Sequence, residues 1–182
     1  MKTHPSSLRS ILLPLFAFAV CTVGVADQQS LHKNAIAVAE LKSANTTDVV
    51  GSVQFIPHAD GIRIVGHVMN LTPGKHGIHV HEKGDLSAPD FSSAGGHYNP
   101  TNEPHAGPDA ERRHMGDLGN ITAESDGTAK IDMVDKRIKL EGSNSILGRA
   151  LIVHSGPDDF TSQPSGNSGD RVAGGIIQKI RR

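Results

Sequence analysis

The chain has 182 residues and a formal net charge of −1, a size that suits one domain around a single core and is short for two. Aromatic residues make up 3% and tryptophan is absent, so the core has to be built from Val, Ile, Leu and Ala. The near-neutral balance argues against a nucleic-acid partner, which calls for a basic surface, and 20 Gly with 10 Pro favour many turns and short strands over long helices.

At the N-terminus, Lys2 and Arg9 lead into an apolar run from Ile11 to Val25, and Gly24-Val25-Ala26 offers small residues for cleavage. This is the pattern of an export signal. The expected division is a signal peptide at 1–26 and a mature domain at 27–182, periplasmic or secreted and free of the membrane once cleaved. Cleavage removes two basic residues and no acidic one, leaving 16 basic against 19 acidic side chains. The only cysteine, Cys21, falls inside the signal, so the mature chain has no thiol and no internal disulfide.

From residue 35 onward short apolar stretches alternate with turn signals, and no helical period is sustained. Strands are expected at 35–42, 49–56, 62–70 and 77–82, separated by polar turns such as His58-Ala59-Asp60-Gly61 and Thr72-Pro73-Gly74. Four more follow at 117–123, 128–134, 146–154 and 172–180, with Asp126-Gly127 marking a hairpin. Eight strands predict an all-β fold, a Greek-key β-barrel or sandwich. Two long irregular segments, 83–115 and 155–170, are expected to be functional loops.

Residues two apart on a strand share a face, so in Ile78-His79-Val80-His81 the imidazoles lie on one side and the apolar side chains on the other. Ile78 and Val80 are expected to face the core, and His79 and His81 the loops. The pair alone fits an exposed strand face with solvated histidines equally well. The first loop adds His97, His105 and His114, with Asp117 three residues later. Three imidazoles and a carboxylate make an ordinary four-coordinate zinc shell, although singly each is an ordinary polar loop residue. A metal would also offset the entropy lost in ordering so long a loop. His154 ends the apolar run Leu151-Ile152-Val153, and Arg171 opens the last strand; alone, neither requires a special role. His32, His58, His67 and His76 read as solvated, with an extra surface metal contact as the alternative for His76.

Five blocks together resemble the copper/zinc superoxide dismutase family. They are Gly77-Ile78-His79-Val80-His81-Glu82, Ser93-Ala94-Gly95-Gly96-His97-Tyr98-Asn99-Pro100, His114-Met115-Gly116-Asp117-Leu118-Gly119-Asn120, Val153-His154 and Gly166-Asn167-Ser168-Gly169-Asp170-Arg171. The resemblance implies an eight-stranded Greek-key barrel that dismutes superoxide to dioxygen and hydrogen peroxide. It implies copper at His79, His81, His97 and His154, and zinc at His97, His105, His114 and Asp117. His97 then bridges the two metals and relays a proton. Asp158 resembles the aspartate that accepts hydrogen bonds from one ligand histidine of each metal, and Arg171 the arginine that guides the anionic substrate.

The resemblance places the chain nearest the bacterial periplasmic branch. It leaves oligomeric state open, with a homodimer among the options. Most relatives tie the long loop to the barrel by a disulfide; here the matching positions are read as Leu86 and Gly174, and both cysteines are gone. Folding is therefore expected to lean on zinc more than usual. No Lys or Arg falls in 155–170, which leaves Lys75, Lys83, Arg112 and Arg113 as candidates to steer substrate alongside Arg171. The competing reading is a non-catalytic secreted copper/zinc-binding or copper-delivery protein on the same barrel.

Overall fold

The computed structural model describes residues 34–44, 46 and 49–181; the expected signal segment, Cys21 and His32 lie outside them. Antiparallel strands run in chain order β1 Ala37–Ser43, β2 Val49–His58, β3 Gly61–Val68, β4 Gly74–Val80, β5 Asp117–Ala123, β6 Ala129–Asp135, β7 Ala150–His154, β8 Arg171–Ile176 and β9 Gln178–Lys179. Their order in the sheet is β2-β3-β6-β5-β4-β7-β8-β1-β9, and β1 also pairs with β2, so the sheet closes on itself. The fold is the expected eight-stranded Greek-key barrel, with β9 as an extra short strand. Among the described residues no helix is long and apolar enough to cross a membrane.

Two expected strands are cut by turns. The run 146–154 becomes strand only at Ala150, because Gly148 has φ +77° and Arg149 N bonds Ile146 O across a turn. The last run breaks at Ile177, whose amide bonds Arg149 O while β9 returns to pair with β1. The Asp126-Gly127 hairpin forms as expected, with Gly127 at φ +77° and Glu124 N bonded to Thr128 O.

The alternation within each strand builds the core. Ala37, Ala39 and Leu41 of β1, Phe55, Ile64, Ile78, Val80, Leu151 and Val153 are all fully buried in one cluster. Each large side chain among them contributes about 1.5–3 kcal/mol by leaving water. The barrel is weakest between β5 and β6, which share the single pair Ala123↔Ala129. Beside that seam, the loop between β4 and β5 is held to the barrel by side chains.

Candidate metal centre

The loops meet over β4, β5 and β7. Ile78 and Val80 enter the core as expected, which turns His79 and His81 to the other face, where both are buried. A bulge then aims the acid: Gly77 pairs with Asn120 but His79 with Asp117, so β5 carries one extra residue there, next to Gly119 at φ +89°. A similar shift in β8 places Arg171 opposite His154. His97 is brought to His81 by an isolated bridge between the two residues.

The seven side chains collect into two groups. In each group the potential ligand atoms lie within 4.8 Å of one another: His79, His81, His97 and His154 in one, His97, His105, His114 and Asp117 in the other. All seven residues are buried. Asp117 Oδ1 lies 2.8 Å from His97 Nδ1, 3.0 Å from His105 Nδ1 and 3.2 Å from His114 Nδ1. Its other oxygen accepts from the backbone amides of His114 and Ala106.

Hydrogen bonds select which nitrogen each ring offers. Since a carbonyl can only accept, His81 Nδ1 donates to Gly95 O and His154 Nδ1 to Gly169 O, which leaves Nε2 of both as lone-pair donors, 3.4 Å apart. Asp158 does the same for two more rings: His79 Nε2 donates to its Oδ2 at 2.8 Å, and His105 Nε2 to its Oδ1 at 2.9 Å. Nδ1 of His79 and Nε2 of His97 are buried with no hydrogen-bond partner, and Nδ1 of His105 faces only the Asp117 carboxylate. Ring nitrogens orphaned in a packed interior are costly. A cation bound among them removes that cost, so the donor set fits metal ions. An all-imidazole group suits copper, and three imidazoles with one carboxylate suit zinc.

Electrostatics agree. Burial lowers the pKa of His79 to about 3, of His81 to about 2 and of His154 to about 4, so their lone pairs are free at neutral pH. Burial also lowers His97. His105 goes the other way: burial opposes its charge, but Asp117 and Asp158 raise it to about 9. Burial likewise works against ionising those two acids, yet hydrogen bonds from the histidines hold both carboxyls well below the usual range.

Arg171 is half-buried beside the first group. It donates to the carbonyls of Phe91, through Nη1, and of Gly95, through Nη2 at 2.6 Å. A surface cavity of about 720 Å³ between β1, β8 and the 86–91 segment contains none of these ligands, so cavity size alone would not find the site.

The family model for copper/zinc superoxide dismutase (SODC) matches residues 49–177. The chain belongs to the copper/zinc superoxide dismutase family. It is 44% identical over 159 residues to a protein named extracellular superoxide dismutase [Cu-Zn] from Brugia pahangi, covering 82% of this chain and 79% of the relative. The crystal structure of the clock protein EA4 superposes with TM-score 0.73 at 37% identity, covering 81% of this chain and 96% of that one. A double mutant of a SOD-like protein from Bacillus subtilis gives TM-score 0.71 at 35% identity, covering 78% and 96%. Copper and zinc are the metals of the family, and the two buried donor groups suit them.

Two expectations based on the sequence need correcting. His76 is buried, not solvated: its Nδ1 lies 2.7 Å from His154 O and its Nε2 2.7 Å from Thr72 O. Arg113 cannot steer substrate, since it is 1% exposed and paired with Asp135. His58 and His67 are exposed as expected. Gly174 is covered by Phe91, while Leu86 sits at the margin of the same small cluster. Two further residues carry weight that sequence reasoning did not assign. Asn120 exchanges two hydrogen bonds with the Asp158 backbone and ties the second loop to β5. Gly95 supplies one carbonyl to both His81 and Arg171.

Proposed function

We propose that this chain is an exported enzyme that dismutes superoxide, converting two superoxide anions and two protons to dioxygen and hydrogen peroxide. His79, His81, His97 and His154 hold copper; His97, His105, His114 and Asp117 hold zinc. The observation that carries this reading is His97, a single buried ring belonging to both donor groups, with Nδ1 on Asp117 and Nε2 without a hydrogen bond. When bound, copper supplies the one-electron cycle that zinc cannot.

The protein's own side chains do the rest. Arg171 presents a fixed guanidinium to the incoming anion, held in place by two backbone carbonyls. His97 Nε2 takes up a proton and passes it to the peroxide product, while Asp117 and the loop keep the ring oriented. Asp158 fixes the tautomers of His79 and His105, one in each group. Superoxide dismutases are a standard example of electrostatic steering and of turnover near the diffusion limit, and Arg171 is the cation placed to steer here.

Export is supported by the basic and apolar pattern of residues 1–26 and by the extracellular name of the Brugia relative. The protein protects its compartment, periplasmic or extracellular, against superoxide. Superoxide is the partner; nucleic acid is not, and a homodimer is the assembly to test first.

The deciding experiment loads residues 27–182 with copper and zinc, confirms both metals by elemental analysis, and measures superoxide removal beside His154→Ala. We expect turnover in the wild type and its loss in the variant. A fully loaded wild type with no turnover would favour the non-catalytic metal-binding or delivery protein instead.

A further inference from the structure

Phe91 lies in the first loop with φ +60°, a left-handed conformation that a bulky residue keeps only where its surroundings hold it. Its ring provides the hold. The residue is 7% exposed and packs in a small cluster with Ala94, Ala150 and Ile152, with Leu86 at the edge. On the barrel side it covers Gly174 of β8. A Cβ added to Gly174 would stand 3.1 Å from ring atom Cδ2, 3.2 Å from Cε2 and 2.8 Å from Cδ1 of Ile152. Gly174 is not among the positive-φ residues, so it is space, not backbone conformation, that calls for glycine.

The position of the ring fixes the position of two acceptors. Phe91 O accepts from Arg171 Nη1 and from Ala94 N. Four residues on, Gly95 O accepts from Arg171 Nη2 at 2.6 Å and from His81 Nδ1 at 3.0 Å. The turn between them is short, a single 3-10 turn over Ser92–Ala94. A shift of Phe91 would therefore carry both carbonyls with it. Residues 27–182 contain no cysteine, so no disulfide within them can resist that shift.

We propose that Phe91 is a positioning residue: its ring, seated on the bare face of Gly174, is the non-covalent clip that holds the first loop to β8 and aims Arg171. This rests on the role given to Arg171 above. It assigns no ligand; its one link to a metal-group side chain is the Gly95 carbonyl shared with His81, which the metal content below monitors.

The test uses the mature chain loaded with copper and zinc, and compares Phe91→Ala, Phe91→Leu, Gly174→Val, Arg171→Ala and the double variant Phe91→Ala with Arg171→Ala. Three quantities are read: superoxide removal, metal content and amide exchange over residues 85–95. Phe91→Ala should keep both metals, speed exchange in that segment and slow turnover by roughly tenfold to a hundredfold, the scale expected when a reacting group is displaced. Phe91→Leu should recover part of both losses, and Gly174→Val should repeat them by lifting the ring. The double variant should be no slower than Arg171→Ala alone.

Unchanged exchange and turnover in Phe91→Ala would overturn the proposal. So would losses that multiply in the double variant, since Phe91 would then not act through Arg171. Should Phe91→Ala fail to fold, Gly174→Val carries the same test, and its wild-type exchange and turnover would overturn the proposal too. If Arg171→Ala alone is fully active, the reading of Arg171 fails; exchange over 85–95 still decides whether the clip exists.

Discussion

Arg113 and Asp135 form a buried ion pair at the end of β6, with Arg113 1% exposed and Asp135 5%. Arg113 also donates to the carbonyls of Pro108, His114 and Asp117 at 3.1, 3.0 and 2.9 Å. Asp135 Oδ1 accepts from the amides of Arg137 and Ile138. One side chain thus fastens the turn bearing His114 and Asp117 of the second donor group to the end of β6, beside the seam where β5 and β6 barely pair.

Removing Arg113 leaves the buried Asp135 carboxylate without its counter-charge and takes one donor from each of several carbonyls. Arg113→Met should cost about 3–5 kcal/mol of stability and weaken zinc binding. Adding Asp135→Leu should recover only part of the loss, because the carbonyls still lack the Arg113 donors and the Arg137 and Ile138 amides lose Asp135 Oδ1. Urea unfolding with a zinc titration checks this; a full recovery would mean that the carbonyl contacts contribute nothing.

Asp158 spans the two donor groups, so a change there should be felt in both. Asp158→Asn offers one acceptor oxygen where two rings now donate, and aims an N–H at the other. Affinity should fall by about 10–100-fold for each metal. Competition with a chelator measures it, and an effect on one metal alone would contradict the bridging arrangement.

Stability should depend on zinc. The 83–115 loop has no covalent tie, and its ordering entropy is opposed by Phe91, Arg113 and the metal. Loss of a native disulfide typically costs about 2–5 kcal/mol in small domains, which sets the scale zinc has to match. Calorimetry of metal-free, zinc-loaded and doubly loaded protein should show the larger rise in melting temperature on adding zinc. Equal melting temperatures would remove the argument.

Acid should destabilise the metal-free protein in a defined window. His79, His81 and His154 have folded pKa values depressed from 6.5 to about 3, 2 and 4. Between those values and 6.5 the unfolded chain binds more protons than the folded one, so stability falls as pH drops through this range. Asp117 and Asp158, also depressed, add to the loss at the acid end. His105, raised to about 9, has the opposite sign: its contribution is complete below 6.5 and is lost as pH rises through 9. Melting temperature against pH for chelator-treated protein should therefore decline from 6.5 downward, and a flat profile to pH 4 would contradict the burial of these rings.

Steering should rest mainly on Arg171. Residues 155–170 hold no Lys or Arg, Arg113 is internal, and Arg112 pairs with Glu103 at 2.8 Å. Arg171→Ala should lower turnover and flatten its dependence on ionic strength. Rates measured from low to physiological salt give the slope; a slope as steep as wild type would assign steering to other cations.

Local pattern was enough for much of this protein. Period-two alternation placed Ile78 and Val80 in the core and His79 and His81 on the site face, Asp126-Gly127 marked its hairpin, and the spacing of five blocks picked out most of the side chains of the two donor groups, His105 following from its place in the first loop. These features are legible because they depend on a few neighbouring residues. Tertiary structure alone decided the rest. His76 is buried because β4 packs against the backbone of His154, and Arg113 is internal because Asp135 waits across the open seam. Phe91 meets Gly174 because a loop and a strand far apart in the chain are brought into contact. Such pairings are set by strand register, by the bulges beside Asp117 and Arg171, and by shape in a close-packed interior. No short stretch of sequence encodes them.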